Sequence, residues 1–208
     1  LRMESLPSLK IKNLTLRRVS RIETVEVLKG ATADFSSGLN IVYGPAGCGK
    51  TTLLESLAGL EKISGGEIII EGKFFFLTQV PEKEFVYDSC AKEISGSADT
   101  DVDYYLKKAG LSTDIKSISP WKLSRGERKR LAVARNLYYY LNDKRGIYLL
   151  DDPFTDMDSE GIKVISENII ENGCFKVIMT TNRLYDLKYF EDKEIDFSLY
   201  KMSGGVLK

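Results

Sequence analysis

The chain has no histidine among its 208 residues. That removes the commonest general base, and the side chain that changes charge nearest neutral pH, from any mechanism it could run. Cysteine is scarce: Cys48, Cys90 and Cys174 are odd in number and lack any CxxC spacing. Neither a disulfide framework nor a zinc site is expected, and a reducing, intracellular setting is. Long apolar runs are missing too. KFFFLTQV and LYYYLN fall far short of the roughly 18 residues needed to span a bilayer, so any span must come from another subunit. Thirty Lys and Arg balance thirty Asp and Glu, which leaves no whole-chain field to attract nucleic acid, and none is expected as a partner. Leu1 and Arg2, ahead of Met3, are expected to be foreign to the natural chain and carry no weight.

The length suits one domain of ordinary size with a sizeable core. Apolar residues fall at nearly every second position from Leu9 to Leu16, and Val25 to Phe35 continues in β-rich style, so the chain opens with strands in an antiparallel layer. GLNIVYG, from Gly38, reads as a strand running into a glycine turn and then the helical KTTLLESLAGL. Two short strands in GGEIIIEGKFFFLTQ break at Glu71–Gly72. From about 80 to 141 the chain is mostly helical, with Asp101 capping DVDYYLKKAGL. Alternation then returns as a strand at 147–151, a helix from about Asp158, the strand FKVIMTT, a short helix after Asn182 and a last strand IDFSLYKM.

Gly44 to Thr52 reads GPAGCGKTT, a match to GxxxxGK[ST] in the strand-to-helix context the motif requires. Glycines at 44, 47 and 49 let backbone N–H groups point inward, the helix N-terminus adds positive potential, Lys50 reaches terminal phosphates and Thr51 can ligate Mg²⁺. A loop that merely turns the chain would not need the whole match. The expected ligand is a nucleoside triphosphate contacted by Gly44, Ala46, Gly47, Cys48, Gly49, Lys50, Thr51 and Thr52. Cys48 is read as a small residue in a serine-like place. Redox sensing is the other reading, since a thiol near a helix N-terminus ionises more readily, and alkylation separates the two. IYLLD places Asp151 at the C-terminal end of a buried strand, where open α/β sheets bind ligands, so Asp151 is expected to hold the magnesium.

Between these two stations KLSRGERKRLAVARNL, Lys122 to Leu137, resembles the LSGGQ signature and following helix of the ATP-binding cassette (ABC) ATPases. Leu123, Ser124 and Gly126 match, while Arg125 replaces the first glycine and Glu127 the glutamine. Gln79 matches the family's Q-loop, Asp158 its D-loop aspartate, and VIMTTN the strand before its switch histidine. The resemblance implies an α/β fold: a P-loop NTPase RecA-like core with an N-terminal antiparallel β layer and a small helical subdomain. The chain would form one such domain over 1–208, its core at about 1–79 and 142–208 and its helical subdomain at about 80–141. ATP and Mg²⁺ are the implied cofactors, with Gln79 joining Thr51 and Asp151 at the metal and taking part in catalysis. The resemblance further implies a head-to-tail dimer, in which Ser124, Gly126 and Glu127 serve in trans a nucleotide held by the partner.

Within the family, QVPEKEFVYDSCAKEI resembles the Q-loop and following helix of energy-coupling factor (ECF) importer ATPases through Pro81, Glu82, Phe85, Glu93 and Ile94. Such ATPases pair, often as unlike subunits, beneath a transmembrane coupling protein. This implies a second ATPase subunit, in a heterodimer sooner than a homodimer, and a cytoplasmic place on the inner face of the membrane. Phe85 and Tyr87 have a plainer reading as core aromatics.

Three departures bear on mechanism. The family's water-polarising glutamate is Asp152 here, one methylene shorter, which withdraws the carboxylate by ~1.5 Å. A misplacement of about 1 Å can cost on the order of 10²-fold in rate. The switch histidine falls at Thr181, which donates a hydrogen bond but carries no charge. The ring that stacks on adenine is missing, with Ile22 near its place and Arg18 or Arg21 as substitutes. The resulting expectation is an ATPase slow at its own site. Competing readings are a soluble, non-transport ABC ATPase and a largely non-hydrolysing regulatory subunit.

Overall fold

The structure is a computed structural model that describes residues 8–35, 37–96, 100–142, 146–171 and 176–208. Cys174 lies outside them. The chain divides into two compact units, the first built from residues 1–76, 145–152 and 173–208 and the second from 77–144 and 153–172.

In the first unit, β1 (Ser8–Val19) pairs antiparallel with β2 (Thr24–Phe35) on one side and β4 (Gly65–Glu71) on the other. Leu9, Ile11, Leu14 and Leu16 of β1 are buried in one core, the change of phase between Ile11 and Leu14 being taken up by a register shift with Asn13 at φ 50°, while Val19 at the strand's end is exposed. The larger sheet has the order β5-β6-β7-β3-β8-β9, with β3 at Gly38–Tyr43, β5 at Lys73–Leu77, β6 at Gly146–Asp151, β7 at Lys176–Thr181, β8 at Phe197–Ser203 and β9 at Val206–Leu207. Strands β6, β7, β3 and β8 run parallel. Every residue of β6 and β7 is buried, which requires the near-continuous apolar runs IYLL and VIM that those strands carry. Leu53, Leu54 and Leu57 of α1 (Lys50–Leu57) join Leu9, Leu28, Leu149, Ile178 and Met202 in one core. Each fully buried Leu or Ile of this kind contributes about 1.5–3 kcal/mol.

This parallel arrangement brings the C-terminal ends of β3, β6 and β7 to one edge. Because β7 lies between β3 and β6, its residues Thr180 and Thr181 stand level with Val42, Tyr43 and Asp151. Strand β8, expected to be the last, is followed by a hairpin into β9.

The second unit holds α2 (Cys90–Ser95), α3 (Val102–Lys108), α4 (Arg125–Asn142) and α5 (Ser159–Glu171). Asp101 caps α3 by accepting from the Asp103 N–H at 3.1 Å. The sequence placed 153–172 with the sheet elements. In the structure it belongs to the helical unit, where Asn168 donates to the Lys108 carbonyl at 2.8 Å. The central tie is Arg135, only 13 % exposed, which grips Glu84 at 2.6 Å and Glu93 at 2.8 Å and covers the ring of Phe85 at 5.7 Å. Glu93, 1 % exposed, also accepts the N–H groups of Val86 and Tyr87 at 3.0 Å each. Residues 81–93 are thus fastened to the middle of α4 by a buried charge pair whose remaining lone pairs are satisfied.

Removing one member of such a pair leaves a buried charge without its counter-ion, at a cost of about 3–5 kcal/mol. Glu93 keeps two backbone donors, so Arg135→Met is expected to destabilise by about 3 kcal/mol and to lower the melting temperature by about 6–12 °C. Thermal unfolding followed by circular dichroism checks this, and an unchanged transition would show that the tie adds nothing.

Candidate nucleotide site

The turn after β3 is shaped by contacts that leave no room for side chains. A Cβ on Gly44 would lie 2.2 Å from the Met202 carbonyl oxygen and 2.8 Å from Cys48 Sγ. Gly49, at φ 109°, caps α1 in the left-handed region, where a side chain would also press on the Val27 carbonyl at 3.1 Å. Lys50 is buried and arches back over the loop, its ammonium donating to the carbonyls of Gly44 at 2.8 Å and Pro45 at 3.0 Å. Gly44 is sewn to the neighbouring strand by its N–H, which donates to the Thr181 carbonyl at 3.2 Å.

At the end of β6, Asp151 is buried, and its two carboxylate oxygens are each claimed by a hydroxyl. Thr51 donates to Oδ2 at 2.8 Å and Thr180 to Oδ1 at 2.7 Å. The Thr180 hydroxyl in turn accepts the Asp152 N–H at 3.0 Å. Asp152 is buried with φ 46°, a left-handed conformation that aspartate enters more readily than most side chains. Thr180 therefore sets both members of the DD pair, through the side chain of one and the backbone of the other. Sequence reasoning passed over it, because the contact depends on β6 and β7 being neighbours.

These donors fit a magnesium nucleotide. One carboxylate and one hydroxyl, 2.8 Å apart, suit an ion that takes few protein ligands and fills its shell with phosphate and water. The glycine turn and the first turn of α1 suit the phosphates. Among the described residues no group of three or more His, Cys, Asp and Glu forms an all-protein cage.

Thr181 requires a correction. Its side chain is fully buried, and its hydroxyl donates to Asp186 Oδ2 at 2.6 Å while accepting the Arg183 N–H at 3.1 Å. Arg183 Nε also donates to that Asp186 oxygen, at 3.2 Å. Thr181 thus stitches the end of β7 to α6 (Tyr185–Asp192) and is not presented to a ligand. The next residue, Asn182, is the first exposed side chain after the strand. Arg18 is likewise committed, at 2.5 Å to Glu61 and 3.7 Å to Glu55. Burial, then Glu61, push the Glu55 carboxyl above its usual range, against the pull of Arg18. Of the two arginines considered for adenine, Arg21 makes no ion pair among the described residues, and Ile22 beside it is 96 % exposed.

In the second unit, Gln79 lies two residues beyond the end of β5 and is exposed. Ser124 and Glu127 cap α4 reciprocally: the Ser124 N–H donates to Glu127 Oε2 at 2.8 Å and the Glu127 N–H to Ser124 Oγ at 3.3 Å. Arg125 pairs with Asp156 at 3.0 Å, Lys129 donates to the Thr155 carbonyl at 3.2 Å, and Gly126 passes close to the Asp156 carbonyl. Asp158 caps α5, accepting the Gly161 N–H at 2.8 Å.

Residues 28–155 match the profile of the ABC transporter family. The chain belongs to that family. The sn-glycerol-3-phosphate import ATP-binding protein UgpC 1 of Rhizobium johnstonii is 32% identical over 156 aligned positions, covering 64% of this chain and 41% of that protein. The lactose transport ATP-binding protein LacK of Rhizobium radiobacter is 30% identical over 158, covering 66% and 42%. The chain thus spans less than half the length of these relatives. Among solved structures, the dimeric post-hydrolysis ATP-binding cassette MJ0796 bound to ADP and Pi superposes with a TM-score of 0.77 at 20% identity, over 96% of both chains. A bacterial Atm1-family ABC exporter with ATP bound gives 0.76 at 21%, over 98% of this chain and 38% of that one. The fold is that of the ABC ATPase cassettes, as the sequence led one to expect.

For an ABC cassette the reciprocal cap has a direct consequence. Hydrogen bonds from Ser124 hold the Glu127 carboxyl below the usual glutamate range. A carboxyl lowered on folding contributes stability that is full above its unfolded pKa and lost as pH falls through its folded one. Glu127→Ala is expected to cost about 1 kcal/mol at pH 7, and the gap from the parent protein should close below the ordinary glutamate range. Urea unfolding at pH 7 and pH 3.5 measures both. A gap that persists undiminished in acid would show that the carboxylate is not the stabilising group.

Proposed function

We propose that the chain is the ATP-binding subunit of an ABC importer, binding ATP with magnesium on residues 44–52 and coupling its use to uptake through separate membrane subunits. The observation that carries this reading is the 2.8 Å hydrogen bond from Thr51 to Asp151, which joins the phosphate loop to the end of β6. The similarity to UgpC 1, an import ATP-binding protein, and to LacK, a transport ATP-binding protein, supports the importer class. No helix among the described residues is long and apolar enough to cross a membrane, which fits a subunit seated on the inner membrane face.

Magnesium, held by Thr51 and Asp151, would supply positive charge to offset the negative charge that builds on the terminal phosphate. The chain's own residues do the rest. Lys50 exchanges the Gly44 and Pro45 carbonyls for phosphate oxygen, and Thr51 and Asp151 supply the metal's protein ligands. Thr180 fixes the Asp151 carboxylate and the Asp152 backbone. Asp152 takes the water-polarising place with a short reach, and Thr181, in the switch position, is committed to Asp186 and offers no charge. Hydrolysis at this site is therefore slow. Ser124 and Gly126, with Glu127 holding their turn, serve a nucleotide on a second ATPase subunit, in a heterodimer whose other site does most of the turnover.

The finer ECF reading rests on Pro81, Glu82, Phe85, Glu93 and Ile94. Four of these, all but Glu82, are buried, so packing alone accounts for much of the pattern. Co-purification with a membrane coupling protein and a separate substrate-binding membrane component would favour ECF. A regulatory subunit would show binding without single-turnover hydrolysis, and a soluble ABC ATPase would show no membrane partner.

Two measurements test the core of the reading. Lys50→Met is expected to abolish MgATP binding by calorimetry, and an affinity within threefold of the parent would remove the phosphate loop from the account. In single-turnover hydrolysis Asp152→Glu should raise the rate on the order of tenfold at unchanged affinity, while Asp152→Asn lowers it. Equal rates in all three proteins would mean that reach at position 152 does not limit the chemistry.

A further inference from the structure

The turn between β8 and β9 is made of Gly204 and Gly205, with φ of 54° and 87°, the left-handed pair of a two-residue hairpin. Gly205 spends its backbone groups outside the hairpin. Its N–H donates to the carbonyl of Cys48 at 3.1 Å, and its carbonyl accepts the Lys29 N–H at 2.8 Å. A Cβ at 205 would lie 2.4 Å from the Val27 carbonyl oxygen, whereas one at 204 would meet nothing within 4 Å. Met202, the last residue of β8 before the turn to be buried, backs both ends of the phosphate loop. Its carbonyl closes on Gly44, and its terminal methyl lies 3.0 Å from where a Cβ on Gly49 would be.

A loop that turns its N–H groups inward toward phosphate must turn carbonyls outward, and a buried carbonyl needs a donor. For Cys48, in the middle of the loop, that donor is Gly205. We infer that the β8–β9 hairpin is the outer wall of the phosphate loop and that Gly205 is a positioning residue for nucleotide binding, holding residues 44–49 in the phosphate-ready shape. The inference rests on ATP binding at this loop, as proposed above. Displacing Gly205 frees the Cys48 carbonyl to seek other partners, so a smaller fraction of molecules is ready to bind and the apparent Kd rises by the inverse of that fraction. Bound nucleotide restores the shape. The cost therefore falls on affinity and KM, and hydrolysis at saturating ATP is spared.

Asparagine tolerates the left-handed region, so Gly204→Asn and Gly205→Asn differ chiefly in the clash and the lost clamp. MgATP titration is expected to give Gly205→Asn a Kd at least tenfold above the parent, with its single-turnover rate at saturation within twofold. Gly204→Asn should match the parent in both. Equal Kd values for the two variants, or a saturated rate that collapses along with affinity, would overturn the positioning role. If Gly205→Asn does not fold, hydrogen exchange in the unmodified protein decides: MgATP should slow exchange of the Gly205 amide, and no slowing would sink the inference. A parent protein that binds no MgATP would instead remove the ATP reading itself.

Discussion

The site depends on one carboxylate held between two hydroxyls. Asp151 receives Thr51 from the helix after the phosphate loop and Thr180 from the strand beside it, and through Thr180 it is tied to the backbone of Asp152. A buried carboxylate costs several kcal/mol unless its oxygens are satisfied. Satisfying them here forces β3, β6 and β7 into the register that brings their C-terminal ends together. The parallel sheet, with its continuous apolar strands, is the scaffold that makes this register rigid.

Several residues that resemble catalytic elements have local structural duties. Glu127 and Ser124 complete each other's helix cap, Asp158 caps α5, and Thr181 anchors α6 through Asp186. Arg125, which stands where a glycine is usual in the ABC signature, is paired with Asp156. Such an exposed pair contributes at most about 1 kcal/mol and is easily exchanged for another anion. The polar groups of the signature turn are thus held in place without a large energetic commitment.

The sequence made the phosphate loop and the LLDD strand legible because each is a contiguous pattern with its mechanism packed into a few residues. In the structure Lys50 bonds back to Gly44 and Thr51 bonds to Asp151. What escaped depended on pairing between distant segments. Thr180 acquires its role only because β7 lies next to β6. Position along VIMTTN points Thr181 at the ligand, whereas its burial and its bond to Asp186, five residues on, make it part of the fold. Ser-x-x-Glu at 124–127 is a local capping signal, yet the resemblance to the ABC signature drew attention to the nucleotide alone. Gly204–Gly205 is a legible hairpin signal, but its contact with Cys48 spans most of the chain. The segment 153–172 follows the core strand directly, so alternation assigned it to the sheet, whereas its helix groups with the helical unit.

In the proposed site, Thr51 and Asp151 together make ATP binding depend on magnesium. The most direct measurement is calorimetric titration of ATP, with magnesium and with EDTA, into the parent protein and Asp151→Asn. Magnesium is expected to tighten binding in the parent by tenfold or more and to have little effect in the variant. Equal magnesium dependence in the two proteins would contradict it.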